Sequence, residues 1–492
     1  MTNDTREQER AVLDAVPTHL LVGGEWRPAA SGATFPVEDP ATGAVLADVA
    51  DGRAEDALAA LTAASDAQGA WSTYPPRERG EILRRAFELM TRHVDDLALL
   101  MTLEMGKPVA ESRAEIAYAA EFFRWFSEEA VRIDGRYTVE PGGHGRMLTL
   151  HQPVGPCLLI TPWNFPAAMG ARKIAPAIAA GCTMIVKPAE LTPLSMLALG
   201  QILLEAGLPP GVLNIITTTA AGDTTRPVLD DARLRKLSFT GSTAVGKQLV
   251  AQGAHQLLRM SMELGGNAPF LVFGDADLDA AVDGAVLAKM RNIGEACTSA
   301  NRFLVHESVA DDFAARLATR LRAMKVGRGT EPGVEVGPLI EAKARDKVEG
   351  LVDDARARGA KALVGGESIG GAGYFYAPTV LAQVPPDARM LHEEIFGPVA
   401  PVVSFATDDD ALARANDTDY GLVAYVYTRD LDRALRVVEG LETGMVGLNR
   451  GFVSNPAAPF GGVKHSGFGR EGGHEGIHEY LDVKYVAIET RT

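Results

Sequence analysis

The sequence predicts an α/β fold in which parallel sheets carry helices on both faces. From Cys157 onward, short apolar segments alternate with segments of helical periodicity, which is the order of strand–helix–strand units. A second series of the same kind begins at Asn267. The chain has 492 residues, of which 46% are hydrophobic, so more than one core is expected. We therefore expect two doubly wound, Rossmann-like domains.

The region before Cys157 is predicted to be mostly helical. Residues 1–17 are expected to form a flexible arm, and residues 20–26 a strand that turns at Gly23-Gly24. Apolar residues then recur at the spacing of one helix face. The helices predicted in this way cover residues 51–71, 77–101 and 112–132.

An alternating segment separates these helices from the first strand–helix series. Between Gly135 and Gln152, Tyr137-Thr138-Val139 belongs to a strand-like pattern, and Pro141-Gly142-Gly143 supplies a turn. The pattern predicts a protruding hairpin. An exposed strand edge promotes aggregation, so pairing of this edge between subunits is physically sensible.

The first strand–helix series favours dinucleotide binding. Its predicted strands are 157–161, 183–187, 212–216, 234–240 and 259–264, and its predicted helices are 167–180, 193–206 and 244–253. No Gly-x-Gly-x-x-Gly motif follows the first strand. Gly241 and Ser242 take its place on a turn from strand to helix, where free backbone N–H groups and the helix dipole favour a phosphate. Taken alone, such a turn is more often only the start of a helix.

The second series continues towards the C-terminus. Its predicted strands are 303–306, 399–405, 422–428 and 445–449, and its predicted helices lie near 309–324, 342–360, 408–416 and 431–441. The loops between them carry the Gly- and Pro-rich motifs.

Charge and cysteine content restrict the class of protein. Lys and Arg number 48 against 64 Asp and Glu, and the net charge of −16 argues against nucleic acid or an anionic membrane as the main partner. Residues 1–10 lack the apolar segment of a signal peptide, and the apolar run 174–186 is too short to span a bilayer. The 3 widely spaced cysteines favour a reducing compartment. We therefore expect a soluble cytoplasmic protein.

Cys297 and Glu263 are the candidate nucleophile and base. Cys297 lies in a loop rich in Gly, Asn and Ser that follows a predicted helix, where backbone N–H groups can stabilise an oxyanion. Glu263 ends a predicted strand and precedes Gly265-Gly266, which permits another backbone to approach closely. Taken singly, such a cysteine is more often an inert apolar residue, and Glu263 could be a capping or salt-bridged acid.

Several motifs, in the same order, resemble those of the aldehyde dehydrogenase superfamily. They are Pro162-Trp163-Asn164-Phe165-Pro166, Phe239-Thr240-Gly241-Ser242-Thr243, and residues 262–267 and 292–302. The resemblance runs from about Leu20 to the C-terminus. Residues 289–292, 458–462 and 466–472 resemble the succinate-semialdehyde dehydrogenase branch in particular.

The resemblance implies a covalent mechanism. Cys297 would attack an aldehyde carbonyl to form a thiohemiacetal, whose oxidation leaves a thioester. Glu263 would activate the water that hydrolyses this thioester. Asn164 and the backbone N–H of Cys297 would hold the developing oxyanion.

The resemblance also implies a nicotinamide cofactor. The residues implied to bind it are Trp163, Lys187, Glu190, Gly241, Ser242, Glu394 and Phe396. A carboxylate at Glu190 can accept hydrogen bonds from both ribose hydroxyls and repels a 2′-phosphate. NAD is therefore expected to be preferred, with NADP possible.

The substrate implied is a short aldehyde with a distal carboxylate. In the resembled branch two arginines and a serine hold that carboxylate, and the matching residues here are Arg172, Arg291 and Ser454. Succinic semialdehyde is the expected substrate; glutarate semialdehyde or an uncharged aliphatic aldehyde is the alternative. The two arginines could also be solvated helix charges. Ser299 stands where the branch often has a second cysteine, so no disulfide switch with Cys297 is expected.

The domain layout follows from the same resemblance. Residues 1–134 and 153–263 are assigned to an NAD-binding domain, and residues 264–470 to a catalytic domain. Residues 135–152 and 471–492 are assigned to a small β oligomerisation arm, which would join subunits into a homodimer or homotetramer.

Two other classes of protein remain open. His474-Glu475-Gly476-Ile477-His478 fits a zinc-hydrolase pattern, but the glycine inside it and Gly472-Gly473 before it weaken the helix that the pattern needs, so no metal is expected. The second class is a catalytically inactive NAD-binding protein. It is kept open by Glu295, which stands where the family commonly has Gln and whose charge could raise the pKa of the thiol.

Overall fold

The computed structural model describes residues 3–490 and confirms the α/β class. The helices are α1 (Asn3–Ala15), α2 (Ala54–Ser72), α3 (Pro76–Arg92), α4 (Val94–Met105), α5 (Val109–Glu129), α6 (Ala168–Ala180), α7 (Leu194–Glu205), α8 (Ala221–Leu229), α9 (Thr243–Gly253), α10 (Leu278–Met290), α11 (Ala310–Ala323), α12 (Ala342–Ala357), α13 (Asp408–Asn416), α14 (Leu431–Gly440) and α15 (Glu475–His478). Short 3₁₀ segments cover Ala254–Gln256, Arg291–Gly294 and Arg389–Leu391.

The strands form two large sheets, one smaller three-stranded sheet and two pairs. In chain order they are β1 (Leu20–Val22), β2 (Glu25–Arg27), β3 (Thr34–Glu38), β4 (Val45–Ala50), β5 (Arg136–Val139), β6 (Gly145–Pro153), β7 (Cys157–Ile160), β8 (Met184–Lys187), β9 (Leu213–Ile215), β10 (Lys236–Thr240), β11 (Arg259–Glu263), β12 (Ala268–Val272), β13 (Ala300–His306), β14 (Lys361–Val364), β15 (Thr379–Ala382), β16 (Val399–Phe405), β17 (Tyr420–Gly421), β18 (Val423–Tyr427), β19 (Met445–Leu448), β20 (Val463–Lys464), β21 (Gly467–Phe468) and β22 (Leu481–Glu489).

The first large sheet creates a crevice at the end of β7. Its order is β2-β1-β9-β8-β7-β10-β11-β21, and the five strands β9, β8, β7, β10 and β11 run parallel to one another. The chain moves outward from β7 through β8 to β9, and then returns to the other side of β7 with β10. The connections after β7 and β10 therefore diverge, and such a switch point is where open α/β sheets bind ligands.

The second large sheet has the order β14-β15-β16-β13-β12-β18-β19. Apart from the antiparallel edge strand β14, its neighbours are parallel. β12 and β18 are buried along their whole length, because helices cover both faces of the sheet. Each large sheet has its own hydrophobic core, while the exact domain boundaries stay a prediction.

The three-stranded sheet contains the predicted hairpin. β5 and β6 pair antiparallel, and β22 pairs with β6 from Leu481 opposite Pro153 to Glu489 opposite Gly145. Tyr137, Val483 and Tyr485 on this sheet are each at least 60% exposed. These three side chains leave an exposed apolar surface on the sheet.

Two predictions for the N-terminal region are wrong. Instead of a flexible arm, the structure has helix α1; residues 1–2 lie outside the described residues. Local polarity concealed this helix, which is held by long-range contacts, including an ion pair of 2.8 Å from Glu9 to Arg328. The single helix predicted for 77–101 is in fact α3 and α4, because His93 leaves the helical conformation with φ −99° and ψ 20°.

Among the described residues, no helix is long and apolar enough to cross a bilayer.

Candidate active site

A cleft between the two large sheets contains most of the predicted catalytic and cofactor residues. Those that line it are Trp163, Asn164, Gly241, Ser242, Glu263, Cys297, Glu394 and Phe396. The loop after β7 supplies the first two of these residues, and the turn after β10 supplies the next two. The switch point of the first sheet therefore forms one wall of the cleft.

Cys297 and Glu263 meet where the chain passes from the first sheet to the second. β11 ends at Glu263, and β12 begins only five residues later, at Ala268. β13 follows Cys297 and pairs in parallel with β12, so the loops before these two strands are neighbours. A Cβ atom on Gly266 would stand 2.5 Å from the carbonyl oxygen of Cys297, so only glycine permits this approach.

The loop before Cys297 has an unusual backbone. Asn292 and Ile293 have φ values of 53° and 61°, a region that residues with a side chain rarely adopt. The backbone N–H of Asn292 donates to Glu111 Oε2 at 2.6 Å, and its side-chain amide donates to Glu295 O at 2.8 Å. These contacts hold the chain away from helical geometry. As a result, the thiol of Cys297 lies half-buried against the cleft.

The electrostatics of the cleft keep both reactive groups protonated at rest. Burial raises the pKa of Cys297 to about 12, the charge of Arg172 opposes this rise, and Glu394 and Glu263 add to it. Burial also raises the pKa of Glu263 well above its usual value, and the charge of Glu471 adds to that effect. Oε2 of Glu263 has no hydrogen-bond partner among the described residues. A water molecule or substrate atom can therefore bind at that oxygen.

The carboxyl group of Glu295 is bound to the backbone of Ile340. Its Oε1 accepts a hydrogen bond from the backbone N–H of Ile340 at 3.2 Å, and burial raises its pKa well above the usual range. Burial therefore favours the uncharged form of Glu295 and opposes the effect that its charge would have on the thiol of Cys297.

Asn164 is fixed by a buried network that the sequence did not reveal. Its side-chain nitrogen donates to Glu295 O at 2.9 Å, and its backbone oxygen accepts from Lys107 Nζ at 2.8 Å and from the Asn292 amide at 3.0 Å. Lys107 is itself paired with Glu115, whose other oxygen accepts the first N–H groups of α6. An amide nitrogen carries two hydrogens, so one remains for a ligand in the cleft.

The turn after β10 has the features of a phosphate site. Ser242 is the N-cap of α9, and its hydroxyl accepts from Val245 N at 3.4 Å. The following backbone N–H groups and the positive end of the helix dipole point into the cleft entrance. Lys187 at the end of β8 donates to Glu190 at 3.1 Å, and the Glu190 side chain is 47% exposed. The carboxylate of Glu190 is therefore accessible to a ligand, and the sequence analysis expects the ribose of the cofactor to bind there.

The opposite wall carries the predicted nicotinamide-side residues. Glu394 accepts from the backbone N–H of Gly266 at 3.0 Å, so it is tied to the segment that follows Glu263. Phe396, with a φ of 54°, places its ring edge-on to that of Trp163 at 5.4 Å. Lys347 was missed by the sequence analysis; its Nζ donates to Glu394 O at 2.7 Å.

The three predicted substrate residues, Arg172, Arg291 and Ser454, do not line the cleft themselves; we call this group of residues its inner end, because Nη1 of Arg172 is 3.6 Å from Sδ of Met169, which does line the cleft. Arg172 is only 1% exposed, stacks on Phe460 at 3.8 Å and pairs with Glu471 at 2.7 Å. Arg291 lies between the rings of Phe165 at 4.6 Å and Phe452 at 4.8 Å, and Ser454 is buried. The alternative that Arg172 is a solvated helix charge is therefore wrong. Arg172 and Arg291 both lower the pKa of Cys297, which shows that their charges act on the reacting thiol.

The zinc-hydrolase pattern lies outside this cleft. α15 is a single turn, in which Nε2 of His474 and Nε2 of His478 are 3.1 Å apart, and Nδ1 of His474 is 2.9 Å from Glu129. Glu475 of the pattern is exposed. Within residues 3–490, no group of three or more His, Cys, Asp or Glu side chains is arranged to hold a metal ion.

Comparison with known proteins gives a consistent result. Residues 26–486 match the model of the aldehyde dehydrogenase family. The chain is 60% identical to the succinate-semialdehyde dehydrogenase of Paenarthrobacter nicotinovorans, with 90% of this chain and 99% of the relative covered. It is 48% identical to the NADP(+) succinate-semialdehyde dehydrogenase GabD of Escherichia coli, with 95% and 97% covered.

Two further relatives are a dehydrogenase named for another semialdehyde and an aldehyde dehydrogenase whose structure contains NAD+. The chain is 49% identical to the glutarate-semialdehyde dehydrogenase of Pseudomonas putida, with 95% and 97% covered. The structure superposes on betaine aldehyde dehydrogenase of Staphylococcus aureus in complex with NAD+ with a TM-score of 0.96 at 33% identity, covering 99% of this chain and 98% of that one.

Proposed function

Because this chain belongs to the aldehyde dehydrogenase family, we propose that it oxidises succinic semialdehyde to succinate with NAD. The choice of substrate rests on one observation, the pair of arginines whose charges act on the thiol of Cys297. In a protein of net charge −16, Arg172 and Arg291 concentrate positive charge at the inner end of the cleft. A substrate carboxylate there would place an aldehyde of suitable length at Cys297.

Each step of the oxidation is assigned to a residue that lines the cleft. Cys297 Sγ loses its proton and attacks the aldehyde carbon, while the free hydrogen of the Asn164 amide and the Cys297 N–H stabilise the oxyanion. NAD, when bound, supplies the group that accepts the hydride. Glu263 then takes a proton from the water that hydrolyses the thioester, and Cys297 is released. Ser242, Lys187 and Glu190 on one wall, and Glu394 and Phe396 on the other, would hold the cofactor.

Substrate charge provides the direct test of this proposal. We expect the unmutated enzyme to prefer succinic semialdehyde to butanal, which has the same number of carbon atoms but no carboxylate. Arg291→Ala should lower kcat/KM for succinic semialdehyde by about ten- to a hundredfold, the value of a lost charge-assisted contact, and should change butanal turnover far less. The measurement is reduced-nicotinamide absorbance.

A matched control and a contrary outcome complete the test. Arg450 also approaches Phe452, at 6.0 Å, but is exposed, so Arg450→Ala should leave both substrates unaffected. Equal losses for both substrates in Arg291→Ala, or a preference for butanal in the unmutated enzyme, would disprove a carboxylate subsite.

Glutarate semialdehyde is the second candidate substrate. The relative from Pseudomonas putida is named for it, and the same arginines would hold its carboxylate. The two semialdehydes differ by one methylene, so a hydrophobic contact alone would separate them by only about 1–3 kcal/mol. Measuring kcat/KM for glutarate semialdehyde in the same assay ranks the two substrates.

Cofactor preference gives a separate prediction. Glu190→Ser should raise kcat/KM with NADP by about tenfold or more, because the repulsion of a 2′-phosphate by the carboxylate is removed. Glu190→Gln is the matched control, because it removes the charge and retains the shape. If the unmutated enzyme uses NAD and NADP with equal efficiency, the role proposed for Glu190 is wrong.

The pKa shifts predict the dependence of activity on pH. Cys297 and Glu263 must each lose a proton to react, and burial raises the pKa of both. The reactive forms therefore increase as pH rises. Because kcat/KM includes the attack by Cys297 but not the later hydrolysis assisted by Glu263, it should climb from pH 6 to pH 9 with a log–log slope approaching about one. Circular dichroism at each pH controls for unfolding. A flat profile over this range would show that neither group limits the rate.

The three-stranded sheet gives the proposal for assembly. The exposed apolar side chains of β5 and β22 favour contact with a second copy of the chain, as a homodimer or homotetramer. Sedimentation of the purified protein distinguishes the two states.

A further inference from the structure

Helix α5 places a tyrosine at the inner end of the cleft that neither the motifs nor the family comparison assigns. Tyr118 lies on α5, and its ring packs edge-on against Phe122 at 5.0 Å. The charges of Arg172 and Arg291 act on its hydroxyl and both lower its pKa. Burial outweighs them and raises the pKa of Tyr118, which keeps the hydroxyl neutral and able to donate.

The hydroxyl of Tyr118 is buried and has no hydrogen-bond partner among the described residues. The side chain of Ser454 lies beside this hydroxyl and lowers its pKa. Leaving a buried hydroxyl unpaired costs free energy, so such a group in a binding site indicates that a ligand pairs with it.

A second donor beside Tyr118 is also unpaired. Within residues 3–490, Nη2 of Arg172 is buried without a partner, although Nε of the same side chain contacts Glu471 and Nη1 reaches only Met169 Sδ at 3.6 Å. Glu471 is shared by Arg172 and Lys173, so it neutralises only one of these two cations. The Tyr118 hydroxyl and Nη2 of Arg172 are thus two buried donors for which the described residues supply no partner.

We propose that the Tyr118 hydroxyl donates a hydrogen bond to the distal carboxylate of the substrate, beside Arg172 and Arg291. Tyr118 is then a residue that determines specificity for carboxylate-bearing aldehydes. A carboxylate offers about four acceptor positions, which two guanidinium groups alone do not fill. This inference rests on the proposed function, since it requires a substrate with a carboxylate.

Tyr118→Phe tests the inference because it removes only the hydroxyl and keeps the ring against Phe122. We expect kcat/KM for succinic semialdehyde to fall by about ten- to a hundredfold, as for a hydrogen bond to a charged group, while butanal stays within about twofold. Succinate, as a competitive inhibitor, should bind more weakly by a similar factor. Retained butanal turnover shows that the variant is folded.

Tyr376→Phe is the matched control. Its hydroxyl is likewise buried and has no partner in the described part of the chain, but Tyr376 belongs to the core of the second sheet, so this change should affect neither substrate. If the unmutated enzyme prefers succinic semialdehyde and Tyr118→Phe leaves that preference intact, the role of Tyr118 is wrong and the proposed function stands. If the unmutated enzyme shows no preference and succinate does not inhibit, the proposed function fails, and the inference fails with it.

Discussion

Cys297→Ala is expected to abolish aldehyde oxidation while NAD binding is retained. The thiol forms the covalent bond to the substrate, and loss of a nucleophile costs at least about a thousandfold in kcat. NAD contacts are proposed to come from other residues, notably Ser242 and Glu190. Steady-state turnover and NAD titration by calorimetry measure the two properties on the same protein.

A second thiol provides the control for this variant. Cys182 is buried outside the cleft, where its Sγ contacts Tyr480 O at 3.4 Å. Cys182→Ala should lose some stability through the small cavity, but should keep its activity at a temperature where it is folded. Turnover by Cys297→Ala at a rate close to that of the unmutated enzyme would disprove the covalent mechanism.

Glu263→Gln is expected to separate the two halves of the reaction. Gln keeps the size of the side chain but cannot accept a proton, so hydrolysis of the thioester should slow by about 10²–10⁴-fold while its formation continues. Rapid mixing should then show a burst of reduced nicotinamide of about one equivalent per site, followed by slow turnover. Equal decreases in burst rate and steady-state rate would assign Glu263 another role.

Glu295→Gln is the matched control for Glu263→Gln. Both changes remove a buried carboxyl group near the nucleophile, but Glu295 contacts the backbone of Ile340. A glutamine carbonyl can accept the same hydrogen bond, and burial already raises the pKa of the Glu295 carboxyl, which favours its uncharged form. We therefore expect no burst and nearly unchanged turnover, which would distinguish loss of the base from a general change in electrostatics.

The parts of the site that the sequence predicted are those encoded in short segments. A strand followed by a Gly-Ser turn and a helix can be predicted from the local sequence alone. In the structure, Ser242 is the N-cap of α9. Gly265-Gly266 next to Glu263 indicated a close approach, and the structure shows which backbone approaches: that of Cys297. The chemical roles of these residues stay predictions until they are measured.

The parts that the sequence missed depend on pairing between distant positions. Periodicity gave α5 as a helix, but it could not show that Tyr118 on it faces Arg172, nor that Lys107 holds the backbone of Asn164. Buried Lys and Glu residues resemble solvated ones in a sequence, because burial is a property of the packed chain. The same reason explains why α1 was predicted as flexible.

The sequence by itself determined the α/β class, the candidate nucleophile and base, and the turn suited to a phosphate, because hydrophobic period, glycine placement and helix capping are local properties. Only the tertiary structure decided which charges surround Cys297. Arg172 and Glu471 are far apart in sequence, yet their side chains are 2.7 Å apart in the folded protein. Electrostatic energies depend on distance and burial, which packing sets, so the charge at the inner end of the cleft could be known only from the fold.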